Sequence, residues 1–210
     1  MSAPIEITFS SPQLRDATAE VCEGVQRAGG RALLVGGCVR DAFRGDAIRD
    51  VDIEVFGVAP AALERMLARE VPLSAVGRSF EVLKHRTLPI DIAVPRTEGE
   101  WDGSLGPREA AARRDFTLNA VAYDLLTGEV IDPFGGLDDL AAGVLRHTSE
   151  QFDEDPLRVL RGMQLIARLE LEPASETLER CRALRGATLP RERVGEERSP
   201  GERQELLRRL

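Results

Sequence analysis

Apolar positions along the chain recur in alternating short runs and helical stripes. Pro12 to Gly29 reads as an amphipathic helix: Ser10 or Ser11 can cap it, Pro12 lies in its first turn, and Gly29-Gly30 ends it. Ala32-Leu33-Leu34-Val35, short and bounded by glycines, predicts a buried strand, and Gly36-Gly37 turns the chain into a short helix through Val39, Asp41 and Phe43. Val51 to Phe56 alternates with the period of a strand, and Pro60 to Glu70 has the alanine, leucine and glutamate content of a helix. Two further strands are predicted at Phe80–Lys84 and Leu88–Val94, and a mobile loop over Arg96–Pro107, rich in glycine, proline and polar residues. Phe116–Tyr123 reads as helix, Thr127-Gly128 as a hairpin-type turn, and Asp132-Pro133 with Gly135-Gly136 as a second turn. From about Ser149 the pattern becomes helix after helix. The outline is an α/β unit over residues 1–148 followed by a helical piece over 149–210.

Composition narrows the functional classes. At 210 residues the chain can bury a core without disulfides or a structural metal. It has no long apolar run to span a membrane, and its N-terminus has no basic-then-apolar stretch, so neither a membrane span nor a secretory signal is expected. Cys22, Cys38 and Cys181 are far apart without zinc spacing, which suits a reducing cytoplasm. The net charge of −8 argues against a simple polyanion binder. The charge is uneven, however: residues 1–180 carry a net −11 and residues 181–210 a net +3. Lys84 is the only lysine.

Candidate chemistry begins with Leu-Leu-Val-Gly-Gly-Cys-Val-Arg-Asp over 33–41, followed by Arg-Asp-Val-Asp-Ile-Glu-Val-Phe-Gly over 49–57. Gly36 and Gly37 let backbone N–H groups approach a triphosphate with no Cβ in the way, and the helix start after them is electropositive. Arg40 can add a charge-assisted contact. Asp50 and Asp52 stand two apart on a strand and share a face, where two carboxylates can hold hard cations such as magnesium. Asp91, inside the apolar strand Leu88–Val94, either faces the same cations or points to solvent on a half-exposed strand. Arg113, Arg114, Asp115 and Asn119 surround Phe116; they can hold a ribose or phosphates, or form a capped helix start with solvated arginines. Asp155 and Arg158, three apart beside an apolar stripe of Val159, Leu160, Met163, Ile166 and Ala167, can read the Watson–Crick edge of a base, since aspartate accepts and arginine donates. A plain surface pair fits that spacing equally. Arg161 continues the same polar edge.

His85 and His147 are isolated, which speaks against a catalytic triad or a zinc-activated water, and the chain has no P-loop signature. A substrate must then supply the nucleophile, as in two-metal nucleotidyl transfer.

Five ordered segments, LLVGGCVRD, RDVDIEVFG, RRDFTLNA, DPFGGLDDL and EDPLRVLR, resemble the class II tRNA nucleotidyltransferases and bacterial poly(A) polymerases, within the polymerase-beta-like nucleotidyltransferase superfamily. The resemblance covers about residues 30–185. It implies a mixed sheet with flanking helices as catalytic head, followed by a short helical neck, in a cytoplasmic enzyme. By that resemblance Asp50 and Asp52 bind two Mg2+ ions, with Asp91, where the family often has glutamate, as a third catalytic carboxylate. Gly36, Gly37 and Arg40 hold the triphosphate; Arg114, Asp115 and Asn119 hold the ribose; Asp155 and Arg158 read the base, supported by Arg161. Arg96–Ala112 matches the family's flexible specificity loop, and LPRERVGEE over 189–197 the start of the next neck motif. The implied reaction is attack of an RNA 3′-hydroxyl on the α-phosphate of CTP or ATP, releasing pyrophosphate. CCA addition or repair on tRNA is the first expectation, poly(A) or A-only addition the second. An idle NTP- or RNA-binding remnant is the rival outside enzymes, since the family's body and tail regions are expected to be absent.

Overall fold

The structure is a computed structural model that describes residues 7–68, 71–76, 82–97 and 100–184. Helix α1 (Pro12–Arg27) begins at Ser11, whose side chain accepts from the Leu14 N–H, and ends at Ala28 before the left-handed Gly29. Then follow β1 (Arg31–Val35), α2 (Gly37–Phe43), β2 (Val51–Phe56), α3 (Pro60–Leu67), β3 (Leu73–Val76), β4 (Val82–His85) and β5 (Ile90–Ala93). A small hairpin, β6 (Arg96–Thr97) and β7 (Glu100–Trp101), leads to α4 (Pro107–Ala112), a 3-10 turn at Thr117–Asn119, β8 (Ala122–Tyr123) and β9 (Val130–Ile131). After α5 (Gly136–Ala142) and β10 (Val144–Leu145) come a 3-10 turn at Glu150–Glu154, α6 (Leu157–Leu169), β11 (Glu172–Pro173) and α7 (Ser175–Ala183).

Seven strands form one sheet in the order β3-β4-β5-β2-β1-β8-β9. The β2–β5 pair is parallel and the others are antiparallel, so the sheet is mixed as expected. Strand alternation sorts the side chains into two faces. Leu34, Val51, Ile53, Val55, Ile90 and Ile92 enter a core with Leu14, Val21 and Val25 of α1 and Leu63 and Leu67 of α3. Leu33, Val35 and Phe56 point the other way and meet Ala110 of α4 and Ala122. Asp52, Glu54 and Asp91 lie on this second face, away from α1 and α3.

Three sequence expectations change. Phe116–Tyr123 is no helix: a single 3-10 turn gives way to β8, because Ala122 and Tyr123 pair with Val35 and Leu34 and the sheet satisfies their backbone. The loop expected over Arg96–Pro107 holds the β6–β7 hairpin, and its matching span to Ala112 ends in α4. Asp102 closes it by accepting from Ser104 N, Ser104 Oγ and Thr97 Oγ1, and Pro107 starts the helix that buries Ala110 and Ala111. The stripe on α6 is rotated: Leu157, Gly162 and Leu165 are buried, whereas Met163 is 62% exposed. Strand β3 was not foreseen. Phe80 and the last thirty residues' basic excess beyond Leu184, including LPRERVGEE, lie outside the described residues.

The helical piece is joined to the sheet through a shared core. Phe116, Leu118 and Leu145 pack with Phe152, Leu165 and Leu171, and β10 pairs in parallel with β11. The turn before α5 is held by Asp132, whose carboxylate accepts from Gly136 N at 2.7 Å and Leu137 N at 2.9 Å. Gly136 is obligatory for space, since a Cβ there would stand 2.1 Å from the Thr117 carbonyl oxygen. Gly136→Ala is expected to destabilise the fold by about 1–3 kcal/mol, read by denaturant unfolding, because backbone has to move. An unchanged unfolding midpoint would contradict this packing.

Candidate nucleotide and metal cleft

Parallel pairing sets Asp52 of β2 directly opposite Asp91 of β5. Asp50 stands just before β2, on the same cleft as Asp52. Asp52 is exposed at the cleft, but desolvation by the surrounding protein raises its carboxyl above the ordinary range, and the charges of Asp91 and Asp50 raise it further, against the pull of Arg114. Ile90 and Ile92 are buried, and Asp91 lies on the half-exposed face of the sheet that also carries Asp52. Lys84, opposite it on β4, forms an ion pair with Asp91.

Gly36 begins α2 with φ 74°, a left-handed conformation that favours glycine. A Cβ at Gly36 would lie 3.3 Å from Arg114 Nη1 and 3.7 Å from Asp52 Oδ2, so the glycine turn is set between a cation and a carboxylate. Beside it, Cys38 donates to the Val35 carbonyl, and burial pushes its thiol up to about 11, which keeps it protonated and inert.

A chain of side chains then runs from α2 to α6. Arg40, 4% exposed, donates from Nε to Asp41 at 2.8 Å and from Nη1 to Asn119 Oδ1 at 2.7 Å. Burial lowers its pKa, and Asp41 offsets this. Asn119 Nδ2 donates to Asp115 Oδ1 at 3.0 Å, which also accepts the Phe116 N–H at 2.8 Å. Asp115 Oδ2 accepts from Arg161 Nε at 2.9 Å, and Arg161 Nη2 lies 3.5 Å from Asp155 Oδ2.

Contrary to what their spacing predicts, Asp155 and Arg158 are not neighbours on one helix face. Pro156 opens α6, so Asp155 lies ahead of the helix with extended backbone, its Oδ1 accepting from Leu157 N at 3.1 Å. Its ion-pair partner is Arg161 rather than Arg158. Arg158 Nη1 and Nη2 donate to the carbonyls of Gln151 and Arg113 at 2.8 and 2.7 Å, while its Nε is buried without a hydrogen-bond partner. A buried donor without a partner is costly, and the two backbone carbonyls held by Nη1 and Nη2 offset that cost.

These groups border a cleft of adjoining cavities. One, of about 310 Å³, is bounded by Gly36, Gly37, Asp52, Asn119 and Asp115 with four arginines, Arg113, Arg114, Arg158 and Arg161. A second, of about 510 Å³, continues past Arg40, Asp50 and Arg49. A third, of about 280 Å³, adds Gln164 and Arg168 of α6. Sequence reasoning missed Asp41, Glu54, Gln164 and Arg168. Period-2 alternation from Asp50 and Asp52 reaches Glu54, and helical spacing from Arg161 reaches Gln164 and Arg168.

Chemically, the cleft suits a polyanion brought in with a cation. Four arginines face two aspartates around the first cavity, which favours phosphate. Among the described residues no group of three or more His, Cys, Asp or Glu side chains is placed to hold a metal ion by itself. Mutually repelling carboxylates with open coordination nevertheless fit a hard divalent cation that takes its remaining oxygens from water and substrate phosphates. No helix among the described residues is long and apolar enough to cross a membrane.

Residues 32–146 match the family described as Poly A polymerase head domain. The chain is 39% identical over 168 residues to the Multifunctional CCA protein of Xylella fastidiosa (strain 9a5c), which covers 73% of this chain and 39% of that protein. Among solved structures, the Bacillus stearothermophilus CCA-adding enzyme in complex with CTP aligns with a TM-score of 0.68 at 28% identity, over 81% of this chain and 43% of that one. A tRNA nucleotidyltransferase complexed with a primer tRNA and an incoming ATP analog aligns with a TM-score of 0.66 at 33% identity, over 78% and 49%. The chain spans about two fifths of the length of the curated relatives it matches.

Proposed function

The chain belongs to the poly A polymerase head domain family, and on that premise we propose that it is an RNA 3′-terminal nucleotidyltransferase of the cytoplasm. It adds C and A from CTP and ATP to a tRNA 3′ end, as the names of its relatives suggest. Residues 1–148 act as the catalytic head and residues 149–210 as a helical neck that recognises the base. The observation that carries the reading is the cleft, in which Asp50 and Asp52, with Asp91 opposite Asp52 on the neighbouring strand, stand near a wall of arginines beside the Gly36-Gly37 turn.

Enzymes of this kind generally use divalent metals, and Mg2+ is the ion proposed here, held by Asp50 and Asp52. When bound, it supplies charge neutralisation at the α-phosphate and lowers the pKa of the attacking hydroxyl. The chain's own residues do the rest. Gly36 and Gly37 admit the triphosphate to backbone N–H groups at the start of α2, and Arg40, braced by Asp41 and Asn119, supplies positive charge from below. Arg114, Asp115 and Asn119 border the space for the ribose. Asp91, paired with Lys84, completes the carboxylate face that orients the incoming hydroxyl.

Base recognition is assigned to Asp155, Arg158 and Arg161. Arg158, which borders the cavity, is assigned as the donor for a ring nitrogen or carbonyl, and Arg161 holds Asp155 as the acceptor for an exocyclic amino group. Cytosine and adenine offer that donor–acceptor pair together. CTP and ATP are therefore expected to bind and react, and GTP and UTP to be rejected.

The test is incubation with Mg2+, a tRNA or minihelix lacking its 3′-terminal residues, and each NTP singly and together. Two C residues and one A are expected when CTP and ATP are both present. A ladder of A residues alone would replace this reading with poly(A) or A-only addition. Nucleotide binding without any extension on either primer would reduce the chain to a binding remnant.

A further inference from the structure

Arg114 stands between two carboxylates of the same strand face, and only one of them holds it. Glu54 follows Asp52 by two residues on β2, so both side chains leave the sheet on the side of the cleft. Arg114 Nη2 donates to Glu54 Oε2 at 3.0 Å in a pair whose side chains are 25% and 16% exposed. Its other terminal nitrogen, Nη1, lies 3.3 Å from where a Cβ at Gly36 would stand, and Asp52 Oδ2 lies 3.7 Å from the same point. The guanidinium and the Asp52 carboxylate thus flank one residue, yet the ion pair runs to Glu54. Glu54 borders the small cavity behind Arg114, with Pro95, Arg96 and Leu105, and not the cavity that Asp52, Gly36 and Gly37 border.

Building on the proposed function, we infer that Glu54 is a positioning residue with two effects exerted through Arg114. It tethers the guanidinium, so that Nη1 is presented beside the glycine turn, where the space for the ribose meets that for the triphosphate. It also keeps that guanidinium from collapsing onto Asp52, whose carboxylate stays open for a divalent cation. The reason is electrostatic: a cation flanked by two carboxylates goes to the one that binds it with better geometry, and removing one releases it to the other. Glu54 touches no substrate in this assignment. It decides which of two partners Arg114 takes.

The test measures cation and nucleotide binding directly on the full chain. Mn2+ binding, followed by electron paramagnetic resonance, and CTP affinity, followed by equilibrium binding, are compared in wild type, Glu54→Gln, Glu54→Asp, Arg114→Ala and the Glu54→Gln/Arg114→Ala double variant. Glu54→Gln keeps the size and removes the charge; it is expected to weaken both Mn2+ and CTP by about tenfold. Glu54→Asp keeps the charge one methylene shorter and is expected to shift both in the same direction by less, which also serves if Glu54→Gln fails to fold. In the Arg114→Ala background Glu54→Gln is expected to leave Mn2+ binding unchanged, because there is no guanidinium left to capture Asp52. A merely structural Glu54 would lower the melting temperature without this rescue. Mn2+ binding that is equal in wild type, Glu54→Gln and Glu54→Asp overturns the inference alone. A wild-type chain that binds neither Mn2+ nor CTP overturns the proposed function with it.

Discussion

Replacing Asp52 by alanine is expected to reduce nucleotide incorporation by at least about a thousandfold, roughly 4 kcal/mol of transition-state stabilisation, while leaving the fold intact. Asp52 is the carboxylate on which the site converges: it faces Asp91 across the parallel strands, Asp50 along the chain and the Gly36 turn in front. Its loss removes a proposed ligand of the metal without removing any core contact, because the strand is anchored by Val51, Ile53 and Val55 on the opposite face. Incorporation retained within tenfold would sink the assignment of the metal site.

The isosteric variant Asp52→Asn carries a second, opposite signature in its stability. Desolvation in the cleft and the neighbouring carboxylates raise the Asp52 carboxyl in the folded state, so folding works against its charge. Between its unfolded value and the raised folded one, the native state binds more protons than the unfolded state, and stability falls as pH rises through that window. Without divalent cation, Asp52→Asn is therefore expected to melt higher than wild type at neutral pH. The difference should shrink on acidification into the ordinary carboxylate range. Added Mg2+ is expected to raise the wild-type melting temperature and leave Asp52→Asn unmoved, since only a site on the native state gains from the ligand. A variant that melts lower than wild type at neutral pH without metal would show that Asp52 is structural.

The largest stability effect is expected at Phe116. Its ring is fully buried, meets Phe152 edge-on at 5.5 Å between centroids, and abuts Gly162 so closely that a Cβ there would lie 2.8 Å from Cζ. Phe116→Ala is expected to cost about 3–5 kcal/mol, the range for truncating a buried aromatic, read from denaturant unfolding. The same ring holds Asp115 and the 3-10 turn of Asn119 against α6. Nucleotide affinity should therefore fall even under conditions where the variant stays folded. A stability loss with unchanged nucleotide affinity would separate the core from the cleft, contrary to the shared cluster of Phe116, Leu145, Phe152 and Leu165.

Much of the fold was legible in the chain because its signals are local. Strands β1 and β2 announce themselves as an apolar run and a strict alternation, and α1 carries its Ser11 cap, its Pro12 and its glycine stop. Where local and tertiary signals competed, the tertiary ones won. Ala122 and Tyr123 have no strong strand pattern of their own, and they extend because the edge of β1 offers hydrogen bonds. The Arg96–Pro107 stretch has loop composition, but Asp102 and Pro107 give it a closed hairpin and a helix start.

For the site, the sequence by itself determined which groups are present and which face they take. Asp52 and Glu54 follow from strand period, with Asp50 just ahead of the strand, the turn at Gly36 from its positive φ, and the arginine-rich segments from composition. Tertiary structure alone decided who meets whom. It set Asp91 opposite Asp52 through the β2–β5 register, gave Asp155 to Arg161 because Pro156 starts the helix late, turned Arg158 toward two backbone carbonyls, and placed Glu54 behind Arg114. Those partnerships join residues up to 60 positions apart in the chain for Arg114 and Glu54, and no period along a sequence can encode a contact that exists only once the sheet has been paired.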